Sequence, residues 1–319
     1  MSETSAGQRA DRRAPASGWA ALVVVYVVWG STYLAIRVAD ESLPPLVMAS
    51  VRYLIAATVL FPLVTGEQVG RASAADEPPK HRPLSLPSPR QLAGCALVGV
   101  LMLACGNGGV SWAERTVPSG LAALLLASVP LWMVIADRTL TRAVPSRLAI
   151  LALVVGFGGI VVLSRPGGRH VPYTGIAVIL VAAICWAVGS VIGRKVPQPT
   201  SPLVATTFQM LAGGLALAVV ASISGEVSSF DARAVTLRSW LALAYLIGPG
   251  SVLALNCYTT ALRLLPTPIV STYAYVNPII AVVLGWLILG EKVSVFTVIG
   301  GALVVTAVVL VVTDRRRNG

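Results

Sequence analysis

Charged residues are scarce in this chain. They make up 12% of its 319 residues, against about 25% in a typical soluble domain. So few could not cover a water-facing exterior, and an ordinary soluble fold is excluded. Histidine is nearly absent: His81 and His170 are the only two, and both fall between apolar runs. A Ser-His pair or a histidine-based metal site at membrane depth therefore has no residues to build it, and no HExxH occurs. The four cysteines, Cys95, Cys105, Cys185 and Cys257, each lie inside an apolar run, and no two form a CxxC pair. They read as small buried residues, not as a disulfide framework or metal site. No GxxxxGK(S/T) is present, which argues against ATP drive. No apolar run has a carboxylate near its midpoint, which weakens a central proton relay. These absences argue against an enzyme, and no cofactor or metal is expected.

What the chain has instead is apolar length. Hydrophobic residues make up 56% of it. About 20 apolar residues cross a bilayer core, and ten runs qualify: 19–38, 45–65, 91–113, 117–136, 146–164, 173–193, 202–222, 239–262, 267–289 and 294–313. The expectation is an all-α polytopic protein of ten transmembrane helices in the lipid bilayer of an inner membrane. The polar, basic stretch 1–18 reads as a disordered tail and the first run as a retained span. The proline-rich stretch 66–90 reads as a long flexible loop, and 314–319 as a short basic tail.

The net charge of +11 comes from Lys and Arg in the loops. That is a topology signal, so nucleic acid is not expected as a partner. With the N-terminus inside, 16 of the 24 Lys and Arg fall on the inner side and seven on the outer, Arg52 lying within a run. Both termini are thus expected in the cytoplasm.

The two halves resemble each other. A shift of 157 residues aligns Trp29 with Trp186, Arg37 with Arg194, and Pro45-Leu46-Val47 with Pro202-Leu203-Val204. Beyond the long loop a shift of 148 aligns Arg115 with Arg263, Pro118 with Pro266, and Pro130 with Pro278. The expected repeats are 19–164 and 173–313. Five runs per repeat is an odd number, so the second repeat must be inverted relative to the first. Inverted repeats with a site at their interface are characteristic of secondary transporters.

Four segments carry a family resemblance: WGSTYLAIR at 29–37, PPLVMASVRYLIAA at 44–57, VPSGLAALLLASVPLW at 117–132 and YAYVNPIIAVVLGWLILGEKVS at 273–294. They resemble the EamA-type signature of the drug/metabolite transporter superfamily, over nearly the whole chain. The resemblance implies a ten-helix fold with inward termini, and export of metabolites or drugs, with uptake in some members. The chain departs from the pattern in its first half: Gly290-Glu291 has Arg142-Ala143 as its counterpart, so a helix-capping role for that Glu is expected on one side only. A secondary exporter of a small-molecule substrate is the leading expectation. Import, or a channel or scaffold without alternating access, stands beside it. The substrate and the oligomeric state stay open.

Candidate substrate-binding residues are Trp29, Tyr33, Asn107, Trp186, Asn256, Tyr258, Tyr273 and Asn277. An aromatic wall with a few polar anchors suits small, partly apolar solutes. The buried amides serve either the site or interhelical hydrogen bonds. Arg52 and Glu114 are expected at similar depth on the outer side, as a helix clamp or a gate; their second-half counterparts are Gln209 and Leu262. Pro130 and Pro278 are expected to break their helices, either as packing kinks or where a site needs free carbonyls. At about 100° per residue, Tyr273 and Asn277 should share a helix face that Tyr275 does not.

Overall fold

The structure, a computed structural model, describes residues 16–73, 87–141, 146–163, 171–265, 267–270 and 272–318. His81, His170, Arg142-Ala143, most of the tail 1–18 and the centre of the loop 66–90 lie outside the described residues. Everything regular among the described residues is helical. Helix α1 is Ala16–Ala39 and α2 is Pro45–Ser73. Helix α3, Pro89–Gly99, continues through a π-helical segment, Val100–Gly108, into α4, Gly109–Glu114. Helices α5, Ser119–Leu126, and α6, Val129–Thr141, are separated by a two-residue turn; α7 is Arg147–Leu163. The second half opens with α8, Tyr173–Gly193, and α9, Pro202–Ile223. Helix α10, Leu237–Ile247, passes through a second π-helical segment, Gly248–Leu253, into α11, Ala254–Leu264. The chain ends with α12, Thr267–Val270, α13, Tyr273–Leu289, and α14, Val295–Asn318.

Among the described helices, seven stretches are long and apolar enough to cross a membrane, and three shorter apolar helices of 10–17 residues accompany them. Their outward faces are apolar too: Val154, Val161, Val181, Leu241 and Val298 are each more than half exposed, as suits a lipid-facing surface.

Local chemistry sets the helix ends. Ser88 accepts from the Gln91 amide while the Gln91 side chain returns to the Ser88 N–H, a reciprocal cap, with Pro89 at the first helical position. Ser201 and Thr236 cap α9 and α10 by the same hydroxyl-to-amide contact. Gly290 closes α13 in the left-handed region at φ 63°, which costs a residue without a Cβ little. Two ends differ from expectation. Helix α2 continues to Ser73, into the stretch read as loop, and α14 continues to Asn318, through the stretch read as tail. Helical propensity carries both onward, since neither stretch meets a proline.

The packing pairs equivalent helices of the two halves. Helix α2 lies along α9, and α7 along α14. Helix α1 packs on α10, α11 and α13, and α8 packs on the first π-helical segment, α4, α5 and α6. Glycine permits the closest approaches. A Cβ at Gly159 would stand 2.9 Å from the Gly300 carbonyl oxygen and 2.9 Å from the Leu303 Cβ. One residue earlier, a Cβ at Gly158 would meet nothing within 4 Å. We therefore expect Gly159→Ala to destabilise the protein by about 1–3 kcal/mol through overpacking. Gly158→Ala should be neutral or stabilising by up to ~1 kcal/mol. Thermal unfolding of the two variants in the same detergent checks this pair, and equal melting temperatures would refute the close α7–α14 contact.

Candidate functional site

The two tryptophans that the sequence pairs across halves each lie against the other half's π-helical segment. Trp29, on α1, donates its indole N–H to the carbonyl of Gly250 at 3.3 Å. Trp186, on α8, sits over Gly106, where a Cβ would come within 3.0 Å of the indole ring. The π-helical segments begin at Val100 and Gly248, positions related by the same shift of 148 that aligns the sequences. Such segments displace the regular carbonyl ladder and are frequent at functional sites.

Around Trp29 the aromatic residues converge. Its ring centroid is 5.1 Å from that of Tyr258 and 5.2 Å from that of Tyr273, and the two tyrosine rings are 5.7 Å apart. The tilted and edge-on arrangements place ring edges against ring faces, the favourable geometry for aromatic quadrupoles. Hydroxyls surround the cluster. Ser31 and Tyr245 hydrogen bond at 2.5 Å, and the Tyr26 hydroxyl meets that of Thr272.

Asn277 is 7% exposed, between α13 and α1. In the amide orientation its neighbours dictate, its nitrogen donates to the carbonyls of Tyr273 at 3.2 Å and Tyr26 at 3.3 Å. Gly30 lets the helices meet there, since a Cβ would stand 2.8 Å from Ile280. Tyr273 and Asn277 therefore both turn toward α1; the Tyr275 side chain lies outside the described residues.

The remaining candidates scatter. Tyr33 is half-buried, on the same helix as Trp29 and within electrostatic reach of Glu114. Asn107 is half-buried within the first π-helical segment, next in sequence to Gly106. Asn256 is exposed, with its amide donating to the Val252 carbonyl of its own helix at 2.9 Å. Pro130 is the second residue of α6, just beyond the turn at Ala127–Ser128 that separates α6 from α5. Pro278 is different. Helix α13 runs through it from Tyr273 to Leu289, and the interruption lies before Tyr273. Its missing N–H leaves one carbonyl, that of Ala274, without its helical donor.

Arg52 and Glu114 do not bond to each other. Arg52, 7% exposed, donates its Nε to Ser251 at 3.1 Å, within the second π-helical segment, and lies 5.1 Å from the Tyr53 ring centre. Glu114 is fully buried, and neither carboxyl oxygen has a hydrogen-bond partner among the described residues. Its backbone carbonyl accepts from Arg37.

Two other carboxylates at this end tie the halves together. Glu291 accepts from the Ser119 N–H at 2.8 Å, the Ser119 hydroxyl at 2.9 Å and the Gly120 N–H at 3.1 Å, so it caps α5 from the far half of the sequence. Glu226 does the same for α2, accepting from the N–H groups of Leu46 at 2.9 Å and Val47 at 3.3 Å. The exposed amides of a helix N-terminus and its dipole both favour a carboxylate there. Asp40, in the α1–α2 turn, has no such partner. Burial pushes its carboxyl well above the usual carboxylate range; Arg37 and Arg115 oppose the shift and Glu226 reinforces it.

Helices of this composition, paired tryptophans on paired π-helical segments, and a family model matching both halves together decide the assignment. Residues 16–165 and again 173–313 match the EamA-like transporter family. The chain belongs to the EamA-like transporter family. It is 37% identical over 294 residues to the uncharacterized inner membrane transporter YedA of Escherichia coli K12, covering 91% of this chain and 89% of that protein. It is 26% identical to Protein PecM of Dickeya dadantii, covering 89% and 88%. A solved crystal structure, 19% identical with a TM-score of 0.58, covers 94% of this chain and 98% of that one, and shows the fold alone. This EamA-family protein is thus a multi-pass transporter of the inner membrane.

Sequence reasoning identified the paired tryptophans and the aromatic residues. It missed Asp40, Glu226 and Ser251, whose roles depend on partners far away in sequence. The only signal was polarity: Asp40 and Glu226 flank apolar runs, and Ser251 lies within one. For Glu291, removing the cap on α5 by Glu291→Ala should cost about 1–2 kcal/mol. Glu41→Ala, at an exposed pair with Arg238 3.5 Å away, should cost well under ~1 kcal/mol. Denaturant titration of both variants checks the contrast.

Asp40 yields a pH prediction. Its folded-state pKa stands above the unfolded value of about 3.9, so between the two the native state binds more protons. Stability therefore falls as pH rises through that window. Asp40→Asn should flatten the dependence and raise the melting temperature on its alkaline side. Melting curves across pH test this, and an unchanged slope in the variant would contradict it.

Proposed function

We propose that this EamA-family transporter is a secondary exporter of small metabolites or amphipathic drugs. It works by alternating access at the interface between two inverted five-helix repeats, with both termini in the cytoplasm. The carrying observation is the exchange of tryptophans: each half presents its own to the other half's π-helical segment. A site made from both halves at such segments is what rocking of one repeat against the other requires.

The aromatic cluster of Trp29, Tyr258 and Tyr273, with Asn277 beside it, is the proposed substrate contact. The wall is apolar and polarisable, and hydroxyls stand at its rim. Helices α7 and α14 pack chiefly on each other, which leaves the central position to the other helices. Asn107 and Trp186 form the counterpart on the other side, and Arg52, held by Ser251, belongs to the gate at the end where Glu114 lies.

Counterflow of a metabolite and drug panel in proteoliposomes tests the reading. Wild-type protein should exchange at least one compound. Trp29→Ala should lower its transport by about tenfold, from the loss of aromatic contacts worth ~0.5–1.5 kcal/mol each, with Trp29→Phe retaining more. Asn277→Ala should weaken transport at matched expression. Flux down a gradient without counterflow would indicate a channel instead, and wild-type rates in both alanine variants would remove the cluster from the site.

A further inference from the structure

The transporter reading leaves one feature unused. Asp40, in the α1–α2 turn, and Glu114, at the end of α4, carry buried carboxyls without a hydrogen-bond partner among the described residues. They are close enough for the Asp40 charge to act on Glu114. A buried carboxylate with no donor is costly, and proteins normally surround one with N–H groups or a cation. Here no guanidinium N–H reaches either carboxyl among the described residues. Arg37 gives a guanidinium N–H to the Glu114 backbone carbonyl, and Arg52 gives its Nε to Ser251. The helix N-termini nearby are capped by Glu226 and Glu291.

The other charged and titratable groups around the pair come from every element against it. Tyr33 on α1 lies within reach of Glu114, and Arg115 within reach of Asp40. Helix α2 adds Tyr53, whose buried hydroxyl is also without a partner. Helix α5 has no ionisable residue in its sequence. Helix α8 brings Tyr173 at this end, 70% exposed, and the adjoining π-helical segment brings Cys105, also exposed. On α10, Arg238 pairs with Glu41 at 3.5 Å.

We infer that Asp40 and Glu114 together form a proton-binding site, which takes up a proton from water as this end of the bundle closes and releases it as the end opens. The two carboxyls hang on different segments, the α1–α2 turn and the end of α4, and Arg37 bridges from α1 to the α4 carbonyl. Movement of α1 against α4 therefore changes how deeply both are buried. When water enters, carboxylates are solvated and the proton leaves; when water is expelled, one proton removes one charge in place. A metal cation fits the pair poorly. Hard cations take about six oxygen ligands, and Arg37, Arg52 and Arg115 all act on these two carboxyls and would repel a cation. Helix α1 also carries Trp29, so the same movement reaches the aromatic cluster. The use of the proton in transport rests on the transporter reading; the proton site itself does not.

Infrared spectroscopy of the full chain in lipid nanodiscs, titrated with acid and base, tests the site without a substrate. The expected result is a protonated-carboxyl C=O band at neutral pH that vanishes on alkalinisation and loses at least half its intensity in Asp40→Asn and in Glu114→Gln. Absence of the band, or a band that both variants leave intact, overturns the proposal. Removal of the band by sodium at fixed pH would assign the pair to a metal cation and overturns it too. Should one variant fail to fold, Glu114→Asp, which keeps the carboxyl and moves it, should shift the titration. Coupling is read by hydrogen exchange at one alkaline pH. Residues 37–48 and 114–120 should exchange several-fold more slowly in the doubly neutral variant than in wild type, and equal rates would refute the closing step. Counterflow without a pH gradient on the same preparations judges the transporter reading separately.

Discussion

In a bilayer core no water is present to complete a backbone hydrogen bond, so every N–H and C=O at that depth must find its partner inside the protein. Regular helix meets the requirement by itself. Wherever this chain departs from regular helix, something must supply the missing partner, and those suppliers define the interior. The Gly250 carbonyl, in a π-helical segment, is met by the Trp29 indole. The Leu246 carbonyl, just before that segment, is met by Ser251, which in turn receives Arg52. The free amides at the starts of α2 and α5 are met by Glu226 and Glu291. Each supplier comes from a distant part of the sequence, or leads to one. Satisfying the backbone is therefore what joins the two halves.

The same constraint explains where polarity and flexibility gather. A regular lipid-facing helix needs no polar side chain, and the outer faces of α7 and α14 carry almost none. Irregular backbone needs polar or aromatic neighbours, so the π-helical segments lie beside Trp29, Ser31, Tyr245 and Trp186. Glycines let these elements approach to contact distance without adding area for lipid to wet. A helix that shifts by part of a turn at such a place exchanges one set of carbonyl partners for another, as a conformational cycle requires.

Much of this was legible in the sequence because it rests on period and composition. Apolar runs give helices, and a constant offset gives paired tryptophans and prolines. What was not legible rests on tertiary placement. Nothing local distinguishes Glu226, which caps a helix 180 residues away in sequence, from a rim carboxylate facing water. Arg52 lies within electrostatic reach of Glu114, yet nearness does not fix partners: Arg52 hydrogen bonds to Ser251 instead. The π-helical segments have no marker beyond glycine content, because the extra residue per turn is stabilised by neighbours, not by propensity. Pro278 was expected to break α13, but packing against α1 and the Asn277 amide hold the helix through it.

The central claim is that one site, made by both halves at the Trp29 cluster, is reachable in turn from each side of the membrane. The most direct test places a single cysteine at Tyr258 in a background with Cys95, Cys105, Cys185 and Cys257 removed. Labelling by a membrane-impermeant maleimide is then timed in right-side-out and inside-out vesicles. The account predicts labelling from both sides, each at a rate that a transported compound changes in the opposite sense to the other. Labelling from one side only, or simultaneous rapid labelling from both with no response to any transported compound, would contradict it.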